Sequence, residues 1–190
     1  MSNPSQKFWV FSYAKGAGNK KGEEERWGVS ALIDFSLLDD IRRKDGPIDC
    51  PTSVWVGRAD RADRVEDVPW VYRDVYIVSD RVRQIIEEAG PDDCQFIPID
   101  IRVGRKSLGL IYWVMHLNFT IECADSERSY NVNEAGEPPF YMRSIIVESF
   151  VPSSVSTFRI KHGTKSAIMR DSLRRRLTRA KVTGCMFYPP

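Results

Sequence analysis

The sequence predicts an α+β protein with mixed, mainly antiparallel sheets, in which one strand–helix–strand unit occurs twice. Three observations support this fold class. Short β-branched and aromatic runs are spread along the chain, two amphipathic helices are each followed by an extended run, and a long stretch with a period of two lies between them. The 190 residues, 42% of them hydrophobic, suffice for one large or two small domains with a buried core.

The first 70 residues are predicted to form a strand-rich subdomain. Strands are expected at 7–13, 27–35 and 52–56. A short helix that contains Leu37 and Ile41 and ends near Gly46–Pro47 is expected. The segment 15–26, rich in Gly, Lys and Glu, is predicted to be a loop. From Arg58 to Asp67 positive and negative side chains alternate and almost nothing can be buried, so a linker is expected there, between residues 1–70 and a second domain at 71–190.

The clearest local organisation lies at residues 76–98. Tyr76–Ser79 is strand-like, and Ser79 or Asp80 can cap a following helix because a short polar side chain accepts from the first free amides. Apolar residues then recur at the spacing of one buried helical face: Val82, Ile85, Ile86 and Ala89. Gly90 and Pro91 end that helix, and Cys94–Val103 is predicted to be a second strand.

The same unit recurs at residues 167–189. When the sequence is shifted by 91 positions, seven of 23 aligned residues are identical. The identical pairs are Ile77 and Ile168, Asp80 and Asp171, Arg83 and Arg174, Ala89 and Ala180, Cys94 and Cys185, Phe96 and Phe187, and Pro98 and Pro189. Leu173 and Leu177 are apolar matches to Val82 and Ile86. Because unrelated segments rarely agree so often, we predict a duplicated strand–helix–strand unit.

Between the two copies, a long strand is predicted from its period of two. Its apolar odd positions are Ile111, Trp113, Met115, Leu117, Phe119 and Ile121. We expect this face to be core and the even-numbered face, which ends in His116, Asn118, Thr120 and Glu122, to become wet. A loop is predicted at 125–139, and short strands at 144–148 and 157–160.

The search for catalytic groups favours a protein that is not an enzyme and needs no cofactor or metal. His116 is interpreted as a hydrogen-bonded structural residue and His162 as a turn residue, although either could catalyse if partners converged on it. Neither a Gly-x-Ser-x-Gly turn nor a phosphate-binding loop occurs. The four scattered cysteines, Cys50, Cys94, Cys123 and Cys185, are expected to be buried thiols.

One helix concentrates positive charge. With Leu173 and Leu177 buried, Arg175, Arg176 and Arg179 are expected to point outward as a basic stripe. Two interpretations remain open: an ordinary solvated face, or a surface that binds an acidic partner or nucleic acid. Nucleic acid is the less favoured partner because no aromatic residues are interleaved with the arginines and the net charge is only +2.

No membrane segment or secretory signal is expected. The longest apolar stretch, Leu108–Cys123, is interrupted by polar residues and is too short to cross a bilayer, and the first residues lack the apolar stretch of a signal peptide. These features, with cysteines that follow no disulfide pattern, predict a cytoplasmic protein. The sequence leaves open whether the chain also forms a homodimer.

The order of motifs in residues 71–190 resembles a known bacterial family. The relevant segments are Val75–Asp80, Gln95–Ile99, Phe158–Ile160, Ala167–Asp171 and Thr183–Phe187. They are similar to immunity protein family eleven of the polymorphic toxin systems, and Phe-Arg-Ile followed by Thr-Gly-x-x-Phe is the most characteristic part. The run Ala167–Arg170 departs from the more apolar pattern expected at that strand.

The resemblance implies an immunity protein that binds and neutralises a cognate toxin, a secreted or contact-delivered effector, in the producing cell. If that toxin is a nuclease with a basic active site, acidic side chains could contact it by charge complementarity. The acidic candidates are Asp60, Asp63, Glu66 and Asp67. The alternative is a nucleic-acid-binding or regulatory module that uses Arg175, Arg176 and Arg179.

Overall fold

The computed structural model describes residues 7–13, 28–32, 35–50, 55–59, 65–71, 75–133, 137–164 and 166–190. In chain order its elements are β1 (Phe8–Tyr13), β2 (Gly28–Leu32), α1 (Phe35–Arg43), β3 (Trp55–Ala59), β4 (Trp70–Val71), β5 (Tyr76–Ser79), α2 (Asp80–Glu87), β6 (Cys94–Val103), β7 (Lys106–Leu117), β8 (Thr120–Ile121), β9 (Tyr130–Asn131), β10 (Tyr141–Arg143), a 3-10 helix (Glu148–Phe150), β11 (Thr157–Ile160), β12 (Ala167–Arg170), α3 (Asp171–Arg179) and β13 (Cys185–Tyr188).

These strands form mixed, mainly antiparallel sheets, which confirms the predicted fold class. A six-stranded sheet has the order β4-β2-β3-β6-β7-β5, and a five-stranded sheet has the order β13-β1-β12-β11-β8. The pairs β2–β4, β3–β6 and β8–β11 are parallel, and the other ladders are antiparallel. A separate two-stranded ribbon consists of β9 and β10.

Strands from the first 70 residues enter both larger sheets. β1 lies between β12 and β13, and β3 pairs with β6. Residues 52–54 of the predicted strand at 52–56 lie outside the described residues, and β3 continues to Ala59, so Arg58 belongs to a strand and not to the predicted linker. The division into domains at residue 70 stays a prediction.

The two predicted strand–helix–strand segments both adopt that structure. The first unit is β5, α2 and β6, and the second unit is β12, α3 and β13. Their elements start at residues 76, 80 and 94 and at residues 167, 171 and 185, so each start is shifted by 91 positions. Ser79 caps α2 by accepting a hydrogen bond from the Val82 amide, as predicted. Common descent of the two units stays a prediction from the sequence.

Each unit encloses one further strand. β7 lies between β5 and β6, and β1 lies between β12 and β13. The registers agree as well: Trp113 is opposite Val78, Trp9 is opposite Met169, and Val78 and Met169 are equivalent positions of the two units. The N-terminal strand therefore completes the second unit as β7 completes the first.

The two helices bury the residues that their periodicity predicts. Val82 and Ile86 of α2 and Leu173 and Leu177 of α3 are fully buried in one apolar cluster. Residues four apart lie on the same helical face, so each helix contributes a short apolar stripe. Because the cluster also holds Met115 from β7, it joins the two units into one core.

The expectation of one core face and one wet face on the long strand is wrong. Ile111 is 62% exposed, whereas the even-numbered Tyr112, Val114 and His116 are buried. Tyr112 and Val114 belong to one apolar cluster and Met115 to another, because an apolar cluster covers each face of β7. The strand also ends at Leu117 instead of reaching Ile121.

Other predicted elements are placed differently or lie outside the described residues. The predicted strand at 144–148 is reduced to an isolated bridge between Ala124 and Ile146. The predicted loop at 125–139 contains β9. The predicted loop at 15–26 lies outside the described part of the chain.

Candidate partner-binding surfaces

The structure describes only part of the acidic segment. Its last carboxylate, that of Asp67, binds other residues of the same chain. Asp60 and Asp63 lie outside the described residues. Asp67 accepts hydrogen bonds from the Ser79 hydroxyl at 2.8 Å and the Thr183 amide at 3.0 Å, and it pairs with Arg81. Asp67 therefore connects the start of α2 to the loop after α3.

These contacts set the pKa values of the two described carboxylates in opposite directions. Burial alone would raise the pKa of Asp67, but hydrogen bonds from Thr183, Arg81 and Ser79 outweigh burial and hold it below its ordinary value. Burial, with the neighbouring charge of Asp67, raises the pKa of Glu66. Asp67 is thus a stably ionised structural group.

The predicted arginine stripe is formed, but two of its three charges are paired. The Arg175 side chain is 67% exposed and donates to Asp171 at 2.6 Å. Arg176 pairs with Glu88 of α2 across the contact between the helices. Arg179 is exposed and has no ion-pair partner among the described residues. The stripe therefore carries less uncompensated charge than the sequence suggests.

Two matching clusters of Trp, Asp and Arg lie at the starts of α2 and α3. In the first, the Trp113 indole N–H donates to Asp80 at 3.0 Å, and the Arg83 Nε donates to the same oxygen at 2.9 Å. The Arg83 guanidinium also lies 4.7 Å from the centre of the Trp113 ring, within the range of a cation–π contact. Each cluster fastens a helix to the strand enclosed by its unit.

The second cluster has the same contacts. The Trp9 indole N–H donates to Asp171 at 2.9 Å, the Arg174 Nε donates to that oxygen at 2.7 Å, and the Arg174 guanidinium lies 4.6 Å from the centre of the Trp9 ring. The Asp and Arg residues are repeat identities, but Trp9 and Trp113 are 104 positions apart (113 minus 9) and therefore do not align at a shift of 91. Only the pairing of the strands brings them into equivalent places.

The two histidines are structural, as predicted. His116 is fully buried, and its ring nitrogens lie 2.9 Å from the Ile41 carbonyl oxygen and 2.8 Å from that of Gly46. His162 is a turn residue with φ of 61°. The expectation that His116 lies on a wet strand face is wrong, because α1 and the segment after it cover this part of β7.

Arg159, from the Phe-Arg-Ile motif, holds the same segment. Its buried guanidinium donates to the carbonyl oxygens of Leu117 at 2.6 Å, Lys44 at 2.7 Å and Ile41 at 3.2 Å. Burial lowers the pKa of Arg159, although the nearby Asp45 carboxylate raises it. Three backbone carbonyls thus replace the water that the buried cation has lost. The arginine of the Phe-Arg-Ile motif therefore has a structural role.

The four thiols are free, and the expectation that they are buried is confirmed for two of them and wrong for the other two. Cys94 and Cys123 are buried, while Cys50 and Cys185 are half-buried. Burial raises the pKa of Cys123 to about 11, and burial with the charges of Asp67 and Glu66 raises that of Cys185 to about 11. These thiols are therefore protonated at neutral pH and poor nucleophiles.

The ribbon of β9 and β10 exposes large apolar side chains that the sequence does not reveal. Asn131 is opposite Tyr141, and a bulge at Met142 places both Met142 and Arg143 opposite Tyr130. Tyr141 is buried, so alternation turns its neighbours outward. We call the outward surface the ribbon face; it consists of Tyr130 (64% exposed), Val132 (45%), Phe140 (38%) and Met142 (58%).

A comparison with family models supplies the decisive finding. Residues 51–189, which make up most of the chain, match the model of the Immunity protein family (Imm11). The chain belongs to this immunity protein family. Both units and the whole ribbon lie within the matched residues, whereas β1 precedes them. No curated protein matches the sequence.

The resemblance stated from the motifs is therefore confirmed. The family is one of toxin-neutralising immunity proteins, so membership implies a toxin as the general kind of partner. Within the described residues, no helix has the length and apolar character that a bilayer crossing requires.

Proposed function

We propose that this protein binds a cognate bacterial toxin, a secreted or contact-delivered effector, and neutralises it in the cytoplasm of the producing cell. The observation that supports this proposal is the family match over residues 51–189. Neutralisation by binding needs a rigid scaffold with a complementary surface and no aligned nucleophile.

The scaffold suits this task because side-chain contacts fix the start of α2 and both ends of α3. The Trp–Asp–Arg clusters hold their N-terminal ends, and the contacts of Asp67 join α2 to the loop after α3. A binding surface carried by such a framework loses little conformational entropy when a partner docks.

The residues proposed from the sequence remain candidates for toxin contact: Asp60, Asp63, Glu66, Asp67, Arg175, Arg176 and Arg179. Among those described, Glu66, Arg175 and Arg179 are exposed, and Arg175 already pairs with Asp171. The carboxylate of Asp67 and the guanidinium of Arg176 already have partners within the chain. A toxin that used them would have to replace these ion pairs.

Co-expression tests the proposal. The toxin domain encoded by the neighbouring gene is expressed in a sensitive host with this protein, with an empty vector, or with the destabilised variant Leu173→Asp. We expect survival only with the wild-type protein, because Leu173→Asp places a charge in the fully buried helix contact. Equal killing in all three cultures would show that the proposal is wrong.

Titration of the purified proteins distinguishes binding from chemical modification of the toxin. Stoichiometric inhibitors remove toxin activity in proportion to their amount, up to one equivalent, and the effect does not grow with time. An enzyme that modifies the toxin would inactivate an excess of it progressively. We expect the stoichiometric result.

A further inference from the structure

The ribbon face has the composition of an interface centre. Tyr, Phe, Met and Arg are the residue types enriched where proteins meet, and the most energetic contacts cluster around such side chains. Tyr130, Val132, Phe140 and Met142 all project from the same side of one short ribbon, so they form a patch and are not scattered singly.

We infer that the ribbon face is the surface on which the toxin docks, an inference that rests on the proposed function. The occupant is a folded toxin domain that presents an apolar patch with a carboxylate at its edge. The apolar part would cover Tyr130 and Met142, which are the two most exposed members of the face.

Arg143 gives the reason for the carboxylate. It is opposite Tyr130 beside the bulged Met142, it is exposed, and it has no ion-pair partner among the described residues. Two of the outward arginines of α3 differ, because Arg175 and Arg176 are neutralised by Asp171 and Glu88. An uncompensated cation at the edge of an apolar patch favours an acidic partner and increases the rate of encounter.

The ribbon is also held in place from behind. The Tyr141 amide donates to the His162 carbonyl at 2.7 Å, and the buried Tyr141 side chain anchors β10 to the body of the protein. Within the ribbon, the Asn131 side chain accepts from the Phe140 amide at 2.9 Å. The apolar side chains are therefore presented by a fixed backbone, which lowers the entropic cost of docking.

Binding measurements on three charge insertions test the inference. The probe is the toxin domain encoded by the neighbouring gene, purified apart from this protein, and the variants are Tyr130→Glu, Met142→Glu and the control Ile111→Glu. Ile111 is as exposed as the ribbon residues but lies on β7 in the six-stranded sheet. All three changes reach solvent, so thermal unfolding should remain close to that of the wild type, and this is checked first.

We expect Tyr130→Glu and Met142→Glu each to weaken binding about 100-fold and Ile111→Glu to change it less than about threefold. Arg143→Glu should weaken binding about tenfold and reduce its salt dependence, while Arg143→Lys should retain most of the affinity. This pattern would support the ribbon face as the docking surface.

Three other outcomes would overturn the inference. If the wild type binds and all variants bind equally, the toxin docks elsewhere, and the proposed function stands. If the wild type neither binds nor protects cells, the proposed function fails and the inference with it. If light scattering shows a wild-type dimer that Met142→Glu dissociates, a second copy covers the ribbon face.

Discussion

In each strand–helix–strand unit the loop after the helix binds another segment of the chain, but the two loops use different chemical groups to do so. Asp93 and Gly184 are equivalent positions in the loops after α2 and α3, 91 residues apart. The Asp93 carboxylate accepts from the amides of Ser156 at 2.7 Å and Thr157 at 2.8 Å. Gly184 instead brings its own backbone close to that of Val68, and a Cβ at Gly184 would overlap the Val68 carbonyl oxygen.

Each loop binds the segment that leads into the other unit. Ser156 and Thr157 precede the second unit, while Val68, whose amide donates to the Thr183 carbonyl at 3.1 Å, precedes the first. The units are therefore interlocked reciprocally, once through a side chain and once through backbone. Equivalent positions of the two units can thus tolerate very different residues.

The largest expected effect is at Gly184. Its φ is +75°, so alanine there would be strained and would also collide with the Val68 carbonyl, and we expect Gly184→Ala to lower the free energy of unfolding by about 4 kcal/mol. Gly109→Ala is the matched control, because Gly109 has φ of +67° but no atom within 4 Å of its would-be Cβ. Urea unfolding should give a loss of only about 1–2 kcal/mol for the control.

Equal losses at Gly184 and Gly109 would contradict this prediction. They would mean that only the left-handed backbone matters and that the loop after α3 does not need its close approach to Val68. The claim that the second unit is held through its backbone at Gly184 would then fail.

Removal of the carboxylate from the first unit should have the next largest effect. Asp93→Ala leaves two buried amides without acceptors, and we expect the free energy of unfolding to fall by about 3 kcal/mol. Asp93→Asn keeps an oxygen acceptor and should recover roughly half of the loss. The control Asp92→Ala changes an exposed neighbour and should cost less than about 0.5 kcal/mol. An equal loss in Asp93→Ala and Asp92→Ala would argue against docking through Asp93.

Local elements were predictable from the sequence because their signals are local. Ser79 as a cap and the buried pair of Val82 and Ile86 follow from spacings within one helix, and the second helix follows from the repeat. By contrast, burial of both faces of β7 depends on the distant elements that pack on each side of its sheet, which no spacing within the strand encodes.

The candidate surfaces show the same limit. The outward position of Arg175 was predictable from helical periodicity. The pairing of Arg176 with Glu88 joins residues 88 positions apart and requires two helices to meet, which no local spacing encodes. The ribbon face was missed because Tyr130 and Met142 belong to strands of two and three residues, which are too short to show alternation.

A third prediction concerns pH, because Asp67 binds the loop after α3 as an ionised carboxylate. Its pKa is lower in the folded than in the unfolded chain, so its contribution is present above the unfolded pKa of about 4 and is lost as pH falls through the folded pKa. We expect Asp67→Asn to cost about 1.5 kcal/mol at pH 7 and progressively less below about pH 4. Urea titrations from pH 7 to pH 2.5 measure this convergence, and a cost that stays constant with pH would exclude an ionic contribution.

The smallest expected effect concerns the Trp–Asp–Arg clusters, which the two units share. Trp9→Phe and Trp113→Phe each retain an aromatic ring but lose the indole N–H bond to an aspartate, so we expect each to lower the free energy of unfolding by about 1 kcal/mol. The two losses should agree within about 0.5 kcal/mol, because the two clusters have nearly the same distances.

Trp9 is the more informative of the two positions. It lies on β1, outside both the aligned repeat and the family match, yet it makes the contacts that Trp113 makes within the first unit. If Trp9→Phe costs as much as Trp113→Phe, β1 is an energetic equivalent of β7, and residues before the matched region are required for the fold. A loss at Trp113 alone would mean that the second unit is held by its helix contacts, and that β1 adds backbone pairing without its indole.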